Sequence, residues 1–238
     1  MSNILTLFKK ELRSYFNSPI AYIFIIVFLV ITNWMFFGRF FLVGEVTMRP
    51  FFDVLPWIFL ILLPALSMRV WAEEKRSGSM ELLLTLPIQD WQAVAGKFLA
   101  VVTFLLFALL LTLSTTLTVF ALGEADGGEI ISGYVGAVLF GGAALAFGSF
   151  LSSLTKNQIV AFLITAVGLF AFIIIGQDYV LIPVSGIFAS IVHFLSLSSH
   201  YNVIARGLLD MGDIVYLLGF IFFFLFLNTK VLQSRYYK

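Results

Sequence analysis

Long apolar runs, broken by short polar stretches, make up most of this 238-residue chain. A membrane-spanning helix needs roughly 20 mostly apolar residues with few or no charges. Six stretches meet that description: residues 20–43, 51–70, 98–122, 130–154, 159–175 and 214–228. The last is short unless Met211 and Val231 lie inside the same helix. Residues 177–213 are apolar only in patches, broken by Pro183, Gly186, His193 and the Ser-Leu-Ser-Ser-His run that ends at His200. That pattern predicts one or two short helices that dip into, or lie on, the outer membrane face.

The first 18 residues follow a different rule. At about 100° per residue, Ile4, Leu5, Phe8, Leu12, Tyr15 and Phe16 share one face. Lys9, Lys10, Arg13, Ser14 and Asn17 share the opposite one, and Leu7 and Glu11 break the pattern. A basic amphipathic helix of this kind lies in the headgroup plane, with Phe8 and Leu12 toward the acyl chains and Lys9, Lys10 and Arg13 toward the headgroups. The plainer alternative is a topology anchor. Asn17-Ser18-Pro19 ends the helix, because proline disfavours helical geometry in the residue before it. The expected organisation is therefore an amphipathic helix over residues 1–18 and a single six-span domain over residues 19–238.

Composition agrees with an all-α membrane protein. Charged residues make up 11% of the chain, against about 25% in soluble domains. Its 28 Phe exceed what one small core would bury. A net charge of +1 gives no basic field for nucleic acid. The absence of cysteine removes disulfides, thiol catalysis and Cys-ligated metals. No small-residue cleavage site follows the first apolar run, so no cleavable signal is expected.

Orientation is read from Lys and Arg, which concentrate on the cytoplasmic side. With both termini inside, Lys9, Lys10, Arg13, Arg69, Lys75, Arg76, Lys97, Lys156, Lys230, Arg235 and Lys238 are cytoplasmic, eleven of fourteen. Only Arg39, Arg49 and Arg206 fall outside.

Several chemistries find no residues to carry them. Ion-coupled transporters keep ionisable groups at mid-membrane, whereas Arg39, Asp53 and Arg69 fall near span ends, with Arg39 and Asp53 placed to pair. His193 and His200 are the only histidines, with no acidic residue at metal-ligand spacing, and read as interfacial. Glu124, Asp126 and Glu129, beside Gly127-Gly128, read as a solvated turn. No G-x-x-x-x-G-K-[ST] phosphate loop occurs. No catalytic residue, metal site or cofactor is expected of this chain. The fourth span carries small residues at Gly133, Ala137 and Gly141, and again at Ala144, Gly148 and Ser152. That spacing permits close helix approach, expected here within the chain.

One stretch stands apart. From Trp71 the chain reads WAEEKRSGSMELLLTLPIQD, and the polar segment at residues 73–97 is the largest one predicted on the cytoplasmic side. Ser79 suits a helix N-cap, and Glu81 in the first turn suits the helix dipole. Met80, Leu83, Leu84 and Pro87 form an apolar edge, with Glu73, Glu74 and Arg76 as a charged rim. Such a helix docks in a partner's groove, or rests on its own bundle.

EEKRSGSMELLLTLP resembles the first cytoplasmic loop of ABC transporter permeases of the type-2 exporter family, which commonly read E-E-K-x-x-G-[ST]-x-E-x-L-L-x-x-P. The likeness extends along the chain, and HYNVIARGLLDMGDIVYLL is similar to the stretch before the last span in the gliding-motility and nitrous-oxide-reductase-maturation branch. The resemblance implies a permease that breaks no bond and binds no cofactor itself. ATP and Mg would be held by a separate ABC ATPase subunit, and a second permease copy or paralogue would complete the dimer in the bacterial cytoplasmic membrane. Glu73, Glu74, Arg76, Gly78, Glu81, Leu83, Leu84 and Pro87 fall on the motif and would form the ATPase contact. The N-terminal helix would be the family's interface helix, and residues 182–209 its re-entrant hairpin. With no sizeable outer domain predicted, substrate handling there would need an accessory subunit. A non-transporting scaffold of an envelope machine is the alternative.

Overall fold

The computed structural model describes residues 2–80, 88–177, 180 and 187–234. The described residues are mostly helical, with no strand among them. In chain order the helices are α1 (Ser2–Phe16), α2 (Pro19–Val43), α3 (Arg49–Ser67), α4 (Arg69–Ser77), α5 (Asp90–Leu111) and α6 (Leu113–Leu122). They continue with α7 (Gly127–Leu154), α8 (Gln158–Ile174), α9 (Ile187–Leu195), α10 (Leu197–Ala205) and α11 (Met211–Gln233).

Among the described residues, five helical stretches are long and apolar enough to cross a membrane: Pro19–Leu42, Arg49–Ser77, Asp90–Leu122, Gly127–Leu154 and Met211–Gln233. The fifth expected span corresponds to α8, an apolar helix of 17 residues. At 1.5 Å per residue it is about 26 Å long, slightly under a typical hydrocarbon core. The multi-pass membrane character read from composition stands.

Local chemistry explains the boundaries. Pro19 sits in the first turn of α2, where its missing N–H costs nothing, and Gly44 closes that helix with φ +70°. The third expected span begins earlier than its apolar run, at Asp90, because Gln89 and Gln92 form a reciprocal capping box. Glutamine is not the usual first member of that box, and apolarity alone does not reveal it. Asp126 caps α7 by accepting from the Gly128 N–H at 2.8 Å. Glu124 and Asp126 are exposed and non-helical, as a solvated turn requires, while Gly127, Gly128 and Glu129 already belong to α7. α11 extends past both ends of its apolar run, from an Asp210 cap to Gln233, and includes Met211 and Val231.

α7 is the central post. It packs against α3, α4, α5, α8, α10 and α11, and 72% of its most apolar window is buried. Its small residues are there for that reason. A Cβ on Gly133 would meet the Phe52 ring at 2.4 Å, and one on Gly141 would meet Leu105 Cδ2 at 2.4 Å. The close approach expected of this helix is made within the chain. By contrast, α2 and α11 turn apolar faces outward, with Trp34 81% and Phe222 70% exposed.

Two expectations about the end of the bundle opposite the α4–α5 loop need revision. Arg39 and Asp53 are both exposed, and no ion pair joins them. His200 is not a loose interfacial histidine. It is buried, with Nδ1 2.6 Å from Asp213 Oδ1 and Nε2 2.9 Å from the Phe194 carbonyl oxygen. Its ring stacks on Tyr216 at 3.9 Å between centroids. Within residues 177–213 the described part holds two short helices, α9 and α10, as the interrupted pattern predicts.

Candidate functional site at the loop end of the bundle

The segment between the second and third spans is more helical than its polarity suggests. Residues 73–77 complete α4 and residues 90–97 open α5. Gly78 ends α4 with φ +75°, a left-handed conformation that disfavours any Cβ. Residues 81–87 lie outside the described residues, and with them Glu81, Leu83, Leu84 and Pro87.

What remains of the motif is held by the bundle. α3 contains Pro56 and Pro64 and gives way to α4 at Met68. Proline removes a backbone donor and crowds the preceding turn, so Pro64 loosens the last turns of α3, although the Met68 N–H still reaches the Pro64 carbonyl at 2.9 Å. A new helix start exposes N–H groups with no partner of their own. Ser152, on α7, supplies it: its hydroxyl oxygen accepts from the N–H of Trp71 at 3.2 Å and of Ala72 at 3.1 Å. The same hydroxyl donates to the Met68 carbonyl at 2.8 Å. One buried serine thus serves both sides of the break.

Trp71 is fully buried beneath this point, and its indole N–H donates to Ser149 Oγ at 3.2 Å. Asn228 of α11 reaches the same oxygen at 2.9 Å. Lys75 donates from Nζ to the Ser153 carbonyl, near the C-terminal end of α7, where the helix dipole favours a cation. Lys97, at the foot of α5, is 3% exposed and bonds Glu74 Oε1 at 2.8 Å and the Val70 carbonyl at 3.1 Å. It also stands 3.3 Å from Glu11 Oε1 on α1.

The motif residues therefore divide. Glu73 pairs with Arg69 one turn earlier, at 2.9 Å, with its side chain 48% exposed. Arg76, Gly78 and Ser79 are exposed. Glu74 turns inward to Lys97, so it places α4 rather than rimming an outer surface. Met80 does not belong to an outward apolar edge. It is buried with Leu7, Val70, Trp71, Ala93, Val94 and Leu232, an apolar cluster of its own below the main core.

α1 packs chiefly along α5. Lys9, Lys10 and Arg13 are exposed, and Phe8 and Leu12 are half-buried. Leu7 is buried and Glu11 is half-buried against Lys97, although both break the amphipathic pattern, and Tyr15 and Phe16 of the apolar face pack on Phe104 of α5. Leu7 sits against Gly96, where an added Cβ would meet Leu7 Cβ at 3.1 Å. The side of α1 that meets α5 is thus wider than the single apolar face, running from Leu7 and Glu11 to Tyr15 and Phe16, while Leu5 stays exposed.

Sequence reasoning missed Leu7, Glu11, Lys97, Ser149, Ser152 and Asn228. A usable signal existed for some of them: a lone acid on an apolar face, and a lysine just before an apolar run, are costly unless paired.

Mechanically, these contacts tie the loop's stem to α1, α5, α7 and α11 at once. Among the described residues no group of His, Asp or Glu could hold a metal ion. Residues 52–233 match the family model described as ABC-2 family transporter protein. No curated protein gives a significant sequence match.

Proposed function

The chain belongs to the ABC-2 transporter family, and we propose that it is the permease subunit of an exporter driven by a separate ABC ATPase. The observation that carries this reading is the α4 stem, a charged helix held by four others, whose far end leaves Arg76, Gly78 and Ser79 exposed. A surface pushed by a motor must be stiffly joined to the spans it moves. A loop on a floppy tether would absorb the stroke.

In this reading the loop between α4 and α5 is the coupling element, with Glu73, Arg76 and Gly78 on its accessible side and Leu83 and Leu84 as its apolar contacts. ATP and Mg act in the partner. α8 serves as the sixth span, both termini are cytoplasmic, and α9–α10 form a re-entrant segment on the outer side. α1 is the interface helix in the headgroup plane. A second permease copy or a paralogue completes the pathway, in the bacterial inner membrane, with an accessory subunit for any substrate handled outside. The stretch HYNVIARGLLDMGDIVYLL favours the gliding-motility and nitrous-oxide-reductase-maturation branch. ATP-driven closure of the motors would press on the paired loops and tilt the spans.

The test is purification of the tagged chain from its native membrane, followed by identification and ATPase assay of what accompanies it. A co-purifying ATPase, lost in Leu83→Asp and Gly78→Pro while the spans stay folded, supports the reading. Stable partners without ATPase activity would establish the scaffold alternative instead.

A further inference from the structure

We propose that Lys97 is the positioning residue that locks α1, α4 and the foot of α5 into one rigid unit, so that the N-terminal helix moves with the coupling loop. The proposal rests on the reading of that loop as the place where an ATPase acts.

A lysine ammonium has three N–H donors and accepts nothing. The structure offers Lys97 Nζ three oxygens, from Glu74 at 2.8 Å, Val70 at 3.1 Å and Glu11 at 3.3 Å. Two of these belong to α4 and one to α1, while the lysine itself belongs to α5. The ammonium also lies 5.0 Å from the centre of the Trp71 ring, an attraction that strengthens away from water. Its side chain is 3% exposed and those of Glu11 and Glu74 are 17% and 15%, so little solvent screens the cluster.

The sequence spacing supports a built arrangement. Glu11 follows Leu7 by one helical turn, and Glu74 follows Val70 by one turn. Each helix thus presents one apolar and one acidic group to the same side, and Leu7 and Val70 meet in the apolar cluster beside the charges. The other α4 ion pair, Arg69–Glu73, lies within one helix and leaves Glu73 half exposed. Without Lys97, the Glu11 and Glu74 carboxylates would face each other across the α1–α4 gap with only the exposed Lys10, 3.6 Å from Glu11, to offset a repulsion that parts the helices.

The absence of native cysteine makes the test direct. Spin labels at Ser14→Cys on α1 and Ser77→Cys on α4, both exposed positions, report the distance between the helices in the full chain in lipid nanodiscs. The expected result is one narrow distance peak in the labelled parent and loss of that peak to a broad distribution in Lys97→Met. Stranding two acids can also unfold this end, so a second variant is needed. Lys97→Met/Glu11→Gln/Glu74→Gln removes the charges together and leaves no acid stranded; it is expected to fold and to keep the broad distribution. An unchanged narrow peak in the triple variant overturns the proposal. ATPase capture by the unlabelled chain separates the two readings. Capture with an unchanged peak leaves the coupling reading standing and the lock refuted. A broadened peak with no ATPase recovered leaves the lock standing and the coupling reading refuted.

Discussion

Gly148 on α7 stands so close to Ser67 on α3 that a Cβ added to it would lie 2.1 Å from the serine oxygen and 2.7 Å from its Cβ. No rotation of the serine side chain removes the second conflict. Gly148→Ala is therefore expected to destabilise the protein by about 1–3 kcal/mol, the usual range for overpacking. Thermal unfolding in detergent reads the loss, and a second change, Ser67→Gly, should recover part of it. Additive effects of the two changes would mean that the contact is not the cause.

Ser152→Ala should cost about 1–3 kcal/mol, since it removes an acceptor shared by two buried N–H groups. Ser152→Thr keeps the hydroxyl but adds a methyl at a fully buried site, so it should not restore the parent. Comparable unfolding temperatures for Ser152→Ala and the parent would refute the bridging role.

Leu7 and Leu5 provide a matched pair on α1, one 4% and the other 52% exposed. Leu7→Ala is expected to cost about 2–5 kcal/mol, as buried Leu→Ala changes do. Leu5→Ala should scarcely move the unfolding midpoint. The reverse ranking would place the inward face of α1 where the simple amphipathic wheel puts it.

That contrast shows what the sequence makes legible. Membrane-spanning character follows from composition and run length, because lipid imposes one dominant rule on residues such as Trp34 and Phe222. Tight packing of α7 follows from Gly133, Gly141 and Gly148, because small side chains at two-turn spacing on one face have few other uses in a span. Leu7, Glu11 and Lys97 are another matter. Their roles depend on three helices meeting, and no one helix carries the pattern. Asp213 pairs with His200 across a helix-to-helix turn, which spacing rules tuned to single elements pass over.

Asp213→Ala should weaken the opposite end of the bundle by about 1–3 kcal/mol, the cost of leaving a buried imidazole donor without its acceptor. Asp213→Asn retains an oxygen acceptor for the imidazole and should lose less. Denaturant unfolding followed by tryptophan fluorescence would rank them; equal losses would assign the effect to packing alone.

Gly78 has open space where a Cβ would go, yet its φ is +75°. Substitution there is limited by backbone conformation, at about 1–2 kcal/mol for a left-handed residue, and not by crowding. Gly78→Asn should retain more of a captured ATPase than Gly78→Val, because asparagine tolerates that conformation. Equal capture by the two would detach the bend from partner binding.

The make-up of α7 also bears on the order of biosynthesis. Among the five long apolar stretches it has the lowest mean hydropathy, 1.9 against 2.5 for Asp90–Leu122. Glycine, alanine and serine give it little to gain from lipid and much from close neighbours. It emerges from the ribosome after α3 and α5, whose surfaces it fits, and before α11, which then closes over it. Nascent α7 accordingly enters a membrane where half of its berth has already been synthesised. A permuted chain that delivered α7 first would present the translocon with its least insertable segment and nothing to receive it.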